Sequence, residues 1–332
     1  MAGKATFTHE MDFRRERDFG AKVGATFEFV SAQFKPLVKC LLYFVLPGAL
    51  LAGIGMGLVA GRIMSIIPGI DSGRGPGSIQ KDVMRATMLS GTSFAGMALA
   101  VLGFLAAFLL LTSTVYGFVQ VRMHTPPAEV VEPARVWQFV RPRLGRVVLA
   151  WLLLTVLSVV GMGVVGGALA LIGPGFVVLL FPVFLWLMVC LTLYFPALWM
   201  EDEGVLAALR RSFYLIKGKW WSSMGLYMVM SMLTGVVNYI FIIPFYGLMM
   251  ARMLLKVPGL DSEIWSVGAM SIYALGWVFT ATLPLIAMLF QYFNLVERKE
   301  GVGMRLMVAS LGQTAAPQVS NGTYRPDDEG EY

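Results

Sequence analysis

Four bases and two indoles form the densest set of chemistry-bearing side chains in the sequence. Arg210, Arg211, Lys217, Lys219, Trp220 and Trp221 all fall within LAALRRSFYLIKGKWWSSMG, residues 206–225. Bases beside tryptophan, directly ahead of a long apolar run, suit a membrane interface. There ammonium and guanidinium groups meet anionic headgroups, and indole sits at headgroup level. Leu206, Leu209, Phe213, Ile216 and Trp220 recur in steps of three and four, the period of one helix face. Arg210, Arg211 and Lys217 lie off that stripe. Glu201, Asp202 and Glu203 stand before it and Gly218 offers a stop, an order that matches the helix macrodipole. The expectation is a basic amphipathic helix in the interface, touching anionic lipid. The alternative is that the same residues only anchor the helix and fix topology.

The rest of the chain offers little chemistry. His9 and His124 stand alone in polar segments, and His124 beside Arg122 reads as interfacial rather than catalytic. Gly161, Gly163 and Gly166 spell GxGxxG, but a dinucleotide site needs a strand before it and an acid about 20 residues on. Here the glycines lie inside an uncharged apolar run, so Gly163 and Gly167 read as a GxxxG helix-packing pair. The GRGPG stretch at 73–77 lacks the Gly-Lys-Ser/Thr of a phosphate loop and reads as a turn. Cys40 and Cys190 read as small buried hydrophobes. No metal-ligating or cofactor-binding set is legible.

Composition points to a membrane. Hydrophobic residues make up 57% and charged residues 14%, with mean hydropathy +0.72, against about 25% charged in soluble domains. The net charge of +6 does not signal nucleic acid, because the bases cluster beside apolar spans. Runs of the length a bilayer requires fall at about 40–60, 92–121, 147–172, 175–200, 222–243 and 266–296. The fold expected is therefore all-α, with six transmembrane helices. A cytoplasmic segment 1–38 precedes the membrane domain 39–312, and a disordered cytoplasmic tail 313–332 follows it. No cleavable signal peptide is visible at the start. Gly53, Gly57 and Gly61 recur every four residues and mark a second helix-packing face. Pro142, Pro182 and Pro196 should break or kink their helices.

Inside the spans the polar residues are sparse. Ser231, Thr234 and Asn238 share one helix face, which would either line a polar cavity or hydrogen-bond to a neighbouring helix. Thr112, Ser113, Thr114, Tyr116 and Gln120 sit late in the second span, and Gln291 and Asn294 close the sixth. No Asp, Glu, Lys, Arg or His lies in a span beyond its ends, which counts against ion-coupled transport and intramembrane proteolysis.

Lysine and arginine set the orientation. Twenty of the 26 fall on the side of the N-terminus, so both termini should be cytoplasmic in a bacterial inner membrane. An internal repeat organises the spans. Val23, Phe27, Val30 and Phe34 match Leu209, Phe213, Ile216 and Trp220 at an offset of 186. Trp137, Val140 and Leu144 match Phe27, Val30 and Phe34 at 110. The expected architecture is three out-and-back hairpins, each entered through a cytoplasmic amphipathic segment.

The stretch AALRRSFYLIKGKWW, through Ala208, Arg211, Ser212, Leu215, Lys217, Gly218 and Trp220, resembles the repeated signature of the membrane domain of some glycerophosphodiester phosphodiesterases. RDFGAKVGATFEFVSAQFKPL and YFNLVERKEGVGMRL are similar to a Bacteroidetes-type subgroup of stand-alone bacterial multi-span proteins with that domain. The family's phosphodiesterase activity belongs to a separate soluble barrel, whose His and Glu motif is lacking here, so the resemblance does not imply that activity. The function expected is a non-catalytic membrane protein organising lipid, above all anionic lipid, or partner proteins. The alternatives are a permease or channel for a small or amphiphilic solute and, third, a lipid-modifying enzyme.

Overall fold

The computed structural model describes residues 7, 9–66, 91–172, 176–255, 257, 259–260 and 262–311. The glycine-rich loop around GRGPG, the turn at 173–175 and the tail 313–332 lie outside them. Every element among the described residues is helical. Six helical stretches are long and apolar enough to cross a membrane: Leu46–Met64, Gly91–Met123, Pro133–Gly167, Leu180–Met200, Trp220–Arg252 and Glu263–Glu300.

Prolines and caps decide where the helices begin and end. After α1 (Glu10–Phe13), α2 (Phe19–Ala32) starts where Asp18 Oδ1 accepts the Ala21 amide at 2.6 Å. Then α3 (Phe34–Phe44) gives way at Val45 to α4 (Leu46–Ile66), so the first span begins later than the run from residue 40 implied. Pro47 is the reason: without an amide it fits the first turn of a helix and not an interior. Next comes α5 (Gly91–Met123), followed by α6 (Pro133–Val140), led by proline. Pro142 does not break the chain there; Arg141–Arg143 tighten to one 3-10 turn and run on as α7 (Leu144–Ile172). Pro182 sits inside α8 (Phe176–Leu191), whereas Pro196 stands in the first turn of a new helix, α9 (Tyr194–Met200). The remaining helices are α10 (Val205–Ile216), α11 (Trp220–Met253), α12 (Glu263–Glu300) and α13 (Val302–Leu311). Gly301, at φ +60°, closes α12.

Close backbone contact builds the centre. A Cβ on Gly48 or Gly55 of α4 would meet the backbone of Ala107 at 2.8 Å or Ala100 at 2.2 Å, and one on Gly103 of α5 would meet Ala52 at 2.2 Å. Rising numbers on one helix meet falling numbers on the other, so α4 and α5 run antiparallel. The other side of α4 lies on α12 in the same way. There a Cβ on Gly53 would fall 2.6 Å from Ser271, one on Gly57 2.3 Å from Val267, and one on Gly61 3.3 Å from Glu263. Gly163 and Gly167 differ: no described atom lies within 4 Å of the Cβ either would carry. The expected GxxxG pair thus meets no partner helix among the described residues, and α7 is exposed on every side over residues 155–164. By contrast, α12 is buried on every side over 286–297.

The two glycine sets predict opposite outcomes. Gly57→Leu must separate α4 from α12 and should destabilise by at least about 2 kcal/mol. Gly163→Leu should change stability by less than about 0.5 kcal/mol. Thermal unfolding of both variants in one detergent checks the contrast.

Candidate functional site

The polar side chains of the chain converge on the end of the bundle where α12 finishes and α4, α7 and α11 begin. Three links hold neighbouring elements together there. Phe44 of α3 stacks on Trp137 of α6 at 5.2 Å, Trp186 of α8 stacks on Phe213 of α10 at 5.5 Å, and Lys22 of α2 reaches Ser222 of α11.

The segment Glu201–Gly204, between α9 and α10, acts as a latch. Glu201 Oε1 accepts from Tyr292 Oη of α12 at 2.6 Å and from Arg211 Nε at 2.8 Å. Arg211 also holds both oxygens of Glu300, at 2.5 and 2.8 Å. Asp202, in the left-handed region at φ +54°, binds Arg146 at 2.9 Å and Arg143 at 3.2 Å. The Arg143 and Arg146 guanidiniums hold its carboxyl below the usual range, Arg143 contributing most. Two adjacent acids thereby tie α9 and α10 to α7 on one side and α12 on the other.

A second polar set lies under α2. Lys22, only 2% exposed, donates to Gln291 Oε1 at 2.7 Å and lies 3.3 Å from Ser222 Oγ. Gln291 Nε2 donates in turn to Ser223 Oγ at 2.8 Å. Burial pushes the Lys22 pKa down, and the nearby charges of Arg298 and Lys219 lower it further. Next along the chain, the Arg17 amide donates to Asn294 Oδ1 at 2.8 Å, while its guanidinium lies over the Phe290 ring. Burial brings the Arg17 pKa down to about 10.

The residues singled out in the sequence separate into distinct roles. Arg211 is consumed by Glu201 and Glu300. Arg210, Lys217 and Lys219 are exposed and form no ion pair among the described residues. Trp220 donates to the Trp186 carbonyl at 3.3 Å, and Trp221 stands edge-on to it with 77% of its surface exposed. Thr234 Oγ1 donates to the Thr280 carbonyl at 3.3 Å, and Thr280 Oγ1 donates to Asn238 Oδ1 at 3.5 Å. Both bonds join α11 to α12; Ser231 sits half-buried on the same face. Among the described residues, no three His, Cys, Asp or Glu side chains come together as a metal site.

The core-facing side of these helices only partly coincides with the apolar stripe. On α10 the core side is Ala208, Ser212, Leu215 and Ile216, while Leu206 of the apolar stripe is exposed. On α2 it is Lys22, Ala25, Thr26 and Phe29, and Phe27 and Phe34 are exposed. Leu215, Ile216 and Phe29 pack inward beside the small residues Ala208, Ser212, Ala25 and Thr26, while Leu206, Phe27 and Phe34 face outward. Phe7 and Phe13, in a segment that reads as polar, are 1% exposed and pack with Phe29, Phe290 and Phe293. Two isolated phenylalanines carry no periodic signal, so nothing in the sequence marked them.

No family model, curated protein or solved structure matches this chain. The class therefore rests on the fold: an all-helical chain with six helices able to span a membrane, compatible with an integral membrane protein.

Two substitutions probe the latch. Arg211→Ala strips two part-buried carboxylates of their partner and should destabilise by about 2–4 kcal/mol, whereas Arg210→Ala should cost under about 0.5 kcal/mol; denaturation in detergent measures both. Asp202→Asn carries a pH signature. A depressed carboxyl pKa stabilises the fold above the unfolded-state value, and that stabilisation is lost as pH falls through the folded-state value. The parent should unfold at higher temperature than Asp202→Asn at neutral pH, and the two curves should meet once the pH drops below the depressed carboxyl range.

Proposed function

We propose that this is a non-catalytic bacterial inner-membrane protein whose cytoplasmic end organises anionic lipid. The carrying observation is a set of exposed bases beside exposed aromatics ahead of α4 and again ahead of α11, with one exposed base ahead of α7. Lys35 and Lys39 precede α4 with Phe34 and Tyr43, which are 56% and 65% exposed. Arg141 precedes α7. Arg210, Lys217 and Lys219 precede α11 with Tyr214 and Trp221. These six form no ion pair among the described residues, which leaves them open to headgroups.

On this reading each of the three hairpins enters the membrane through an amphipathic segment, and both termini face the cytoplasm. The offset of 186 supports the repeat: α2 starts at Phe19 and α10 at Val205, and the helices that follow start at Phe34 and Trp220. Lys22, Thr26 and Phe29 align with Ala208, Ser212 and Leu215, all buried. The likeness to the phosphodiesterase membrane domain fits the same role, a membrane module apart from any catalytic barrel. The bonds of Thr234 and Asn238 to Thr280 support helix packing rather than a solute path.

Native mass spectrometry of the protein released from nanodiscs of mixed phosphatidylglycerol and phosphatidylcholine tests the proposal. Retained lipid should be enriched in phosphatidylglycerol several-fold over the bulk ratio. Retention at the bulk ratio would reject it.

A further inference from the structure

One side of α10 is left exposed and its charge is out of balance. Ala208, Ser212, Leu215 and Ile216 turn into the core. The opposite side carries Leu206, Arg210, Tyr214 and Lys217, in steps of four, four and three, and all of them are exposed. An open hollow of about 420 Å³ runs along it, lined by Glu203, Ala207, Arg210, Arg211 and Tyr214. The acids nearby are largely spent: Arg211 takes Glu201 and Glu300, and Arg143 and Arg146 take Asp202. Arg210 and Lys217 form no ion pair among the described residues. Lys299 of α12 adds a further cation, its ammonium 4.2 Å from the centre of the Tyr214 ring. Glu203 shares the hollow with Arg210, so the positive surplus grows toward Lys217.

The chain carries a matching set of acids within reach of that side. Asp327, Asp328, Glu329 and Glu331 follow Leu311, the last residue of α13, by 16 to 20 positions, and Arg325 is the only charge before them. The start of α13 is tied to α10, because Glu300, the partner of Arg211, is separated from Val302 by Gly301 alone. The ten residues of α13 run about 15 Å, and the six steps from Arg211 to Lys217 about 9 Å. Sixteen extended residues span roughly 50 Å, so the acids reach the whole exposed side of α10. A tether of this length holds them at an effective concentration of about a millimolar. A second hollow, of about 660 Å³ beside α13, has no such surplus, since Arg298, Lys299 and Arg305 share it with Glu16, Glu297 and Glu300.

We infer that the acidic segment 327–331 docks on the exposed side of α10, its carboxylates against Arg210 and Lys217, and competes there with anionic lipid. Carboxylate and phosphate oxygens make the same charge-assisted bonds to guanidinium and ammonium groups, so these bases hold one or the other. The inference rests on the lipid reading above and supplies its regulation from within the chain.

The test uses the full chain in an uncharged detergent. A zero-length carbodiimide joins carboxylates to amines in contact, and mass spectrometry of mixed light and heavy-isotope protein separates links within a chain from links between chains. Links from 327–331 to Lys217 within one chain are expected. Their absence, their formation only between chains, or equal linking to Lys35 and Lys39 would overturn the docking. Thermal stabilisation by added phosphatidylglycerol reads the competition. Asp327→Asn, Asp328→Asn, Glu329→Gln and Glu331→Gln together should lower the concentration for half-maximal stabilisation about threefold. The shift should persist when Lys35→Gln and Lys39→Gln are added and vanish when Arg210→Gln and Lys217→Gln are added. Those four bases are exposed, so both backgrounds should fold. An equal shift in both would reduce the acids to their net charge and overturn the site. No shift, alongside the links, would keep the docking and overturn the competition. A parent stabilised alike by phosphatidylglycerol and phosphatidylcholine would overturn the lipid reading, and the links alone would then decide the docking.

Discussion

The structure depends on one close approach, the backbone of α4 against those of α5 and α12. At Gly53, Gly55 and Gly57 a single methyl group would fall 2.2–2.6 Å from atoms of the neighbouring helix, distances no side chain can share. Without a hydrophobic driving force between helices in lipid, contact of this kind is what makes one helix prefer another to acyl chains. Glycines on both sides of α4 let it serve two partners at once. That three-helix centre holds α12 so that its last turns, buried on every side, become the post around which the polar end is built.

Around that post, charge is arranged in two ways. Arg211, Arg143 and Arg146 are satisfied by Glu201, Asp202 and Glu300, and these pairs join elements distant in sequence. Part-buried pairs of this kind gain little net energy over apolar packing, but breaking one leaves an uncompensated charge, so they fix which helices neighbour which. Lys22 belongs to neither pattern. It is buried among neutral partners at the positive end of a long helix, a conflict between local electrostatics and fold of the sort found at functional sites.

Arg211, which looked from sequence like one of four equivalent bases, is structural, while Lys217 and Lys219 remain available. The exposed length of α7 over residues 155–164 leaves its apolar surface to whatever surrounds the protein.

The sequence by itself determined the class and the elements. Apolar spans of 19 residues and more, with their charges toward the ends, admit only helices in a bilayer, because each backbone amide must be satisfied within its own segment. The spacing of Gly53, Gly57 and Gly61 already described a face without side chains, and the crowding of Lys217, Lys219, Trp220 and Trp221 described an interface. Only the tertiary structure decided which bases pair with which carboxylates, that Phe7 and Phe13 enter the core, that Gly163 and Gly167 meet no partner helix among the described residues, and that Lys22 meets α11. Helical periodicity reports the average polarity of a face. Which face is buried, and whether a base finds a carboxylate, depends on neighbours from 10 to 277 residues away in the chain that helical periodicity does not record.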